Sequence, residues 1–339
     1  MAAPRGRLAD LANYAGVSEA TVSRVLNDKP GVATGTRQLV LTALDVLGYE
    51  RPSRLRRSSA GLIGLVLPEL TNPVFPMFAQ TVETQLAGAN FTPVLCTQTP
   101  GGVHEDEYVQ MLLARGVSGI IFVSGLHADT SAGIERYVAL RERGLPIALV
   151  NGFRTGIDAT FASHDDKAGM QIAVRHLRNL GHTKIGFATG PARYVPVQRR
   201  IEGFRSAMSD GPQVDLDSLI CTTIFSVEGG AAGAKQLVAS GATAIIAGSD
   251  VMALGMLRQA TQLGLRVPED LSVIGGDDVP FMGFVDPGLT TVRMDVQGLA
   301  HAAVTAVLAE IAGEVVEHRE YIFAPELILR RSTTKAPAR

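Results

Sequence analysis

The chain has no tryptophan, only two cysteines in 339 residues, and no apolar run that approaches the roughly 20 residues needed to span a bilayer. Each shortage narrows the field. Cys96 and Cys221 each lie in an apolar run followed by polar residues, which reads as two small buried thiols rather than a disulfide. The seven histidines show neither an HxxxH pair nor a Cys/His cluster at ligand spacing, so no metal site and no cofactor are expected. Residues 1–20 contain Asp10 and Glu19 and lack an apolar stretch, unlike a secretory signal. The expectation is a soluble, cytoplasmic protein without a membrane partner.

Enzyme-like motifs are equally sparse. "GGAAGAKQL" has the wrong glycine spacing for a phosphate loop, and Gln236 stands where Ser or Thr would hold Mg²⁺. The pairs Asp165–Asp166 and Asp277–Asp278 are adjacent in sequence, so their side chains are expected to diverge rather than share a catalytic proton. His176 falls on an apolar stripe and reads as a semi-buried histidine with a satisfied ring. No catalytic residue, and hence no enzyme, is expected.

What is present is an asymmetry of charge. The net charge is −2, yet residues 1–60 carry nine basic groups against five acidic ones, a net of +4 that leaves −6 elsewhere. A basic head suits an anionic partner for that segment alone, because phosphate neutralisation is local and screened by salt. Charge by itself does not separate that reading from a chance excess.

From Leu62 onward, short apolar runs recur: "LIGLVLP", "TPVLCT", "GIIFVSG", "PIALVNG", "KIGFATG", "LICTTI", "TAIIAGS" and "LSVIGG". Amphipathic segments such as 75–88, 105–116, 167–181 and 251–264 separate them, and Gly88, Gly116, Gly144, Gly181 and Gly264 read as helix stops. Continuous apolar strands alternating with helices predict an α/β body with parallel, doubly wound sheets. Four strands before about residue 160 and four after it suggest two similar lobes with a ligand cleft at the strand ends between them. The tail "RRSTTKAPAR" lacks apolar periodicity and is expected to fray, with residues 332–339 forming a flexible end.

Before Leu62 three short helices and no strand are expected. In "GVSEATVSRVLN", Gly16 makes a turn, Ser18 is an N-cap and Glu19 lies in the first turn, where a carboxylate suits the helix dipole. The second helix, Glu19 to about Asn27, buries Val22, Val25 and Leu26. The third, about Thr34 to Leu47, buries Val40, Ala43, Leu44 and Leu47. A short helix with an apolar inner face and Glu19, Ala20, Thr21, Ser23, Arg24 and Asn27 outside is a helix-turn-helix candidate, with three-helix packing alone as the alternative. Arg24 would donate to guanine O6 and N7, Glu19 would accept from cytosine N4, and Thr21 and Ser23 would hold phosphates.

The stretch "LADLANYAGVSEATVSRVLNDKPGVATGTRQLVLTALDVLGY" closely resembles the N-terminal headpiece of LacI-type bacterial transcriptional regulators. The resemblance continues through "IGLVLPELTNPVF", "RHLRNLGHTKIGFATGP", "RRIEGF", "GSDVMALGMLRQATQLGLRVPEDLSVIGGDD" and "DPGLTTVRMD". It implies an N-terminal helix-turn-helix headpiece (1–48), a hinge (49–60) and a two-lobed core like the type I periplasmic sugar-binding proteins (61–331). One lobe would span about 61–160 and 292–322, the other about 161–291 and 323–331. It also implies a homodimer, with a tetramer possible, on a pseudo-palindromic double-stranded DNA operator. Glu19, Ala20 and Arg24 match the major-groove readers of such headpieces, and Thr21, Ser23, Asn27, Thr36 and Arg37 match phosphate-facing or supporting positions. The hinge departs from the pattern: Leu55 precedes the arginine, and Ser58 stands where a wedging leucine is usual. Arg54, Arg56 and Arg57, with Leu55 and Arg51, either contact the minor groove and phosphates or form a plain basic linker.

Carried over onto this chain, the resemblance implies an effector cleft of Asn72, Phe75, Ser124, Gly125, His127, Asn151, Asp165, Tyr194, Arg200, Phe225, Asp250 and Asp277. Such a ring suits a hydroxyl-rich effector, a sugar first and a nucleoside or other metabolite second, and without tryptophan any stacking falls to Phe and Tyr. The rival function is a solute-binding protein for sugar uptake, which shares the core but needs export and no basic head.

Overall fold

A computed structural model describes residues 5–27, 29–49, 60–98, 104–209, 211–212 and 214–337. The chain forms two compact units, Met1–Ala60 and Gly61–Arg339.

The first unit is three helices, α1 (Arg5–Ala15), α2 (Glu19–Leu26) and α3 (Thr34–Val46). Their shared core is Leu11, Ala12, Val22, Val25, Leu26, Val40, Ala43 and Leu44, the i, i+3, i+4 faces expected of short amphipathic helices. Leu47 is a correction: it was expected inside and is 37% exposed. It is the C-cap of α3, where the helix has already ended and Gly48 turns the chain at φ 68°, so helical periodicity no longer directs its side chain inward. The hinge residues Arg51, Arg54, Leu55, Arg56, Arg57 and Ser58 lie outside the described residues.

The second unit opens with β1 (Gly61–Leu67), α4 (Val74–Gly88), β2 (Phe91–Thr97), α5 (Glu105–Ala114), β3 (Gly119–Val123), α6 (Glu135–Glu142), β4 (Ile147–Val150) and β5 (Thr160–His164). It continues through α7 (Asp166–Asn179), β6 (Ile185–Thr189), α8 (Val195–Ser209), β7 (Ile220–Thr222), α9 (Val227–Ala239), β8 (Ala244–Ala247), α10 (Asp250–Gln262) and β9 (Ser272–Asp277). It closes with β10 (Thr290–Arg293), α11 (Val296–Ile311), β11 (Glu320–Phe323) and β12 (Glu326–Ile328). Two six-stranded sheets result, ordered β11-β5-β4-β3-β1-β2 and β12-β10-β9-β8-β6-β7. Every pairing is parallel except β10 with β12.

All eight apolar runs read from the sequence are strands. The four that escaped notice are β5, β10, β11 and β12. Strands β5 and β10 bury Thr160, Ser163, His164, Thr290 and Thr291, so they carry no continuous apolar signal. Strands β11 and β12 are sheet edges without a fully buried residue. Because β5 continues the first sheet beside β4, the first lobe runs to His164, a few residues past the expected boundary near 160. The chain crosses between lobes three times, at Asp165, at Met294–Asp295 and at residues 324–325.

Two further expectations change. Gly88 lies inside α4, and the left-handed residue that turns the chain is Asn90, at φ 69°. The segment expected to fray is pinned to the second lobe. Ser332 is fully buried, its hydroxyl donates to the Val273 carbonyl at 2.6 Å, and it accepts from the Thr290 amide at 2.8 Å. Beyond it, the Thr334 amide donates to Ser272 Oγ, and the Ala336 amide donates to the Leu180 carbonyl. Backbone bonding holds a polar segment in place as firmly as apolar periodicity would, and leaves no hydropathy trace. The glycines of "GGAAGAKQL" serve packing: a Cβ on Gly230 would lie 1.9 Å from the Met252 carbonyl, so α9 and α10 require glycine to approach this closely.

Candidate functional site

In the first unit the Ser18 side chain accepts from the Thr21 amide at 3.2 Å and caps α2, with Glu19 in the first turn. Burying Val22, Val25 and Leu26 on one side leaves Glu19, Ala20, Arg24 and Asn27 exposed and Thr21 and Ser23 half-buried. The Arg24 side chain is exposed and makes no hydrogen bond or ion pair among the described residues, while its carbonyl accepts from the Lys29 amide at 2.9 Å. Asn27 instead turns back, donating through Nδ2 to the Ser23 carbonyl at 2.8 Å, and Thr21 Oγ1 lies 2.9 Å from Ser18 Oγ. Those two side chains therefore also brace α2. Thr36 and Arg37 are half-buried in the first turn of α3, and Arg37 reaches the Lys29 carbonyl at 3.4 Å. The outer face is thus small, polar and one arginine rich, as a groove-reading helix requires.

In the second unit a cleft of about 430 Å³ lies where the strand ends of both sheets meet. Eight of the twelve expected effector residues line it: Asn72, Phe75, Ser124, Asn151, Tyr194, Arg200, Phe225 and Asp277. Ser124, Asn151 and Asp277 hold positive φ values of 48°, 64° and 109°. Such conformations cost energy and cluster where a side chain must be aimed at a site. Arg200 donates through Nε to Asp166 at 2.6 Å and through Nη1 to the Gly248 carbonyl at 2.6 Å, which fixes its plane against the wall. Asp277 has one carboxylate oxygen, Oδ2, without a partner among the described residues, and it lies beside the Asn72 side chain.

Four expected residues do not line the cleft. Gly125 is buried behind it, where a Cβ would meet Glu105 at 2.6 Å. His127 is fully buried against Tyr137 and Phe161, its Nε2 is 3.1 Å from the Val150 carbonyl, and burial pushes its pKa down to about 3. It is a neutral packing histidine. Asp165 caps α7 by accepting from the Ala168 amide at 2.9 Å. Asp250 is buried under the floor, accepting from the Val279 amide at 2.8 Å and from Thr291 Oγ1 at 2.7 Å. Its influence is indirect: burial pushes the Asp250 carboxyl up, and burial together with the Asp250 charge pushes Asp277 well up, against the pull of Arg200. The adjacent acidic pairs do diverge as expected, since Asp278 pairs with Arg293 and Arg330 and Asp166 with Arg200. The carboxylates that couple come instead from α10 and β9.

Sequence reasoning missed Glu69, Arg193, Ser249 and Met294 in the lining, together with Pro191 and Pro196. Glu69 follows β1 as Ser124 follows β3, a strand-end signal that was available. Met294 sits on an interlobe crossing that only the topology reveals. Among the described residues no group of three His, Cys, Asp or Glu is placed to hold a metal ion, and no helix is long and apolar enough to cross a membrane.

Residues 7–52 match the model of the lacI family of bacterial regulatory proteins, and residues 174–333 match the periplasmic binding protein-like domain. The HTH-type transcriptional regulator reg1 of Streptomyces lividans is 56% identical over 336 residues, covering 98% of this chain and 97% of that one. Among solved structures, the transcriptional regulator CelR–cellobiose complex is 28% identical with a TM-score of 0.72, covering 96% of this chain and 99% of that one. The lac repressor dimer bound to operator and the anti-inducer ONPF is 27% identical with a TM-score of 0.69, covering 96% of this chain and 98% of that one. With a capped helix presenting a small polar face in one unit, a cleft at the strand ends of two sheets in the other and a relative this similar over its whole length, the chain belongs to the lacI family of DNA-binding transcriptional regulators.

Proposed function

We propose that this protein is a cytoplasmic repressor that binds a pseudo-palindromic operator as a homodimer and is released or tightened by a neutral sugar seated in the cleft. The observation that carries the effector class is the state of the charges on the cleft wall. Arg193 is paired with Asp129 and Arg200 with Asp166, whereas Asp277 lines the cavity without an ion pair among the described residues. A lining with committed cations and an acceptor outside any such pair suits hydroxyl donors better than a phosphate, and Phe75 and Phe225 offer apolar faces to a sugar ring. A volume of about 430 Å³ suits a small ligand. The solved CelR–cellobiose complex, a similar transcriptional regulator, supports the same class.

On the DNA side, Arg24 reads guanine, Glu19 reads cytosine and Ala20 permits close approach, while Thr21, Ser23, Asn27, Thr36 and Arg37 serve the phosphates. The lac repressor dimer on its operator supports a two-fold arrangement with matching half-sites. The effector shifts operator affinity by its differential affinity for the two core states and by no more.

The test is a thermal-shift screen of the full chain against cellobiose, ribose, other sugars, polyols, sugar phosphates and nucleosides. A ligand at about 100 times its Kd adds roughly 2.7 kcal/mol, a readable rise in midpoint. A neutral sugar that stabilises the protein and alters its retention on operator DNA supports the proposal. Hits confined to sugar phosphates or nucleosides, or no hit, overturn the effector assignment.

A further inference from the structure

Besides the three covalent crossings, the lobes are joined by a direct contact at the cleft wall. Asp129, which follows the turn Leu126–Ala128 after β3, and Tyr194, which precedes α8, form an antiparallel bridge. The Arg193 carbonyl accepts from the Thr130 amide at 2.8 Å and from Thr130 Oγ1 at 2.7 Å. Above this backbone pairing, Arg193 Nε donates to Asp129 Oδ2 at 2.8 Å, and Gln198 Nε2 reaches Thr130 Oγ1 at 3.4 Å.

Both sides are built to hold this contact. Asp129 is 6% exposed, and its other carboxylate oxygen accepts from the Ser131 amide at 2.9 Å and the Ser131 hydroxyl at 2.6 Å. Arg154 donates to the Asp129 carbonyl at 2.6 Å, so the acceptor loop is anchored within its own lobe. The Arg193 guanidinium lies 4.9 Å from the centre of the Tyr194 ring and donates to its hydroxyl at 3.1 Å. Ala128, Arg193 and Tyr194 all line the cleft, and Asp129 does not. A contact that spans both walls parts when the lobes move apart.

We propose that the Asp129–Arg193 pair, with the Thr130–Arg193 backbone bond beneath it, is a clasp that holds the lobes closed and sets how fast the effector enters and leaves the cleft. Asp129 acts here as a positioning residue, through Arg193, without touching the ligand. The inference rests on the cleft being the effector site, but the clasp itself is measurable without any ligand. Breaking it lowers the population of the closed, binding-competent state, which weakens apparent affinity in proportion and speeds exchange.

The experiment uses the full chain in two steps. First, hydrogen exchange of the Thr130 amide is followed without ligand in the wild type, Asp129→Asn and Arg193→Gln. Protection in the wild type that falls several-fold in both variants is expected, with Arg193→Lys restoring part of it. A Thr130 amide that exchanges at the unprotected rate in the wild type, or is unaffected by both substitutions, overturns the clasp. Second, cellobiose, ribose and any other sugar that stabilises the protein are followed by stopped flow. Asp129→Asn is expected to raise the dissociation rate and weaken Kd by about two- to five-fold, the size of a partly exposed ion pair. Unchanged rates for a sugar that binds overturn the gating role. Should no sugar bind even the wild type, the effector proposal fails and the exchange result alone decides the clasp.

Discussion

Arg199 on α8 grips Glu320 on β11 across the two lobes, Nη1 to Oε1 at 2.6 Å and Nη2 to Oε2 at 3.0 Å. A two-pronged pair of this kind adds geometric specificity to charge, and both groups are largely shielded. Its neighbours on α8 face other tasks: Gln198 touches the Asp129 loop and Arg200 the cleft. One helix end therefore meets the cleft, the interlobe contact and the edge strand together.

Glu320→Gln and Arg199→Ala are each expected to lower core stability by about 1–2 kcal/mol, below a fully buried pair because Arg199 keeps some solvent. Urea unfolding of both singles and the double variant measures the coupling. Additive losses would mean that the pair contributes nothing beyond its separate parts.

Arg24→Ala is expected to cost about 1–3 kcal/mol of binding to the preferred operator and to relax the preference at one base pair of each half-site. Fluorescence anisotropy against operators varied one pair at a time reads this out. A uniform loss across all sequences would reassign Arg24 to a phosphate.

The coupled carboxyl groups of Asp250 and Asp277 give a pH signature. Burial raises both folded values, with the Asp278 charge adding to Asp250 and the Asp250 charge to Asp277, so the folded protein keeps protons that the unfolded chain has released above roughly pH 4. Their contribution is fully present below that pH and is lost as pH rises through the folded values. Asp277→Asn removes one member, so its thermal midpoint relative to wild type should rise steadily from pH 5 to pH 8 while sugar binding weakens. A midpoint difference that is flat with pH would show that the pair does not titrate in this range.

Ser332→Ala should destabilise the core by about 1–3 kcal/mol, because it strands the buried Thr290 amide and Val273 carbonyl. Differential scanning calorimetry decides: a midpoint shift near zero would return the segment after Arg331 to the frayed tail that its composition suggested.

Fold class, the eight apolar strands and the outer face of α2 were legible in the sequence because each is written in local periodicity. Val22, Val25 and Leu26 must lie on one side of any helix over these residues, so Glu19, Ala20 and Arg24 must lie on the other. Eight cleft positions were legible through the resemblance to LacI-type regulators, and they lie where the strand ends of the two sheets converge. Tertiary structure alone decided the rest. Burial depth turned His127 and Asp250 away from the cleft, and neither carries a local mark of it. The interlobe crossings put Met294 in the cleft wall, and the approach of two loops 64 residues apart made Asp129 and Arg193 partners. Periodicity records which way a side chain points from its own element, whereas burial, ion pairing and coupled titration depend on what the other elements bring to meet it.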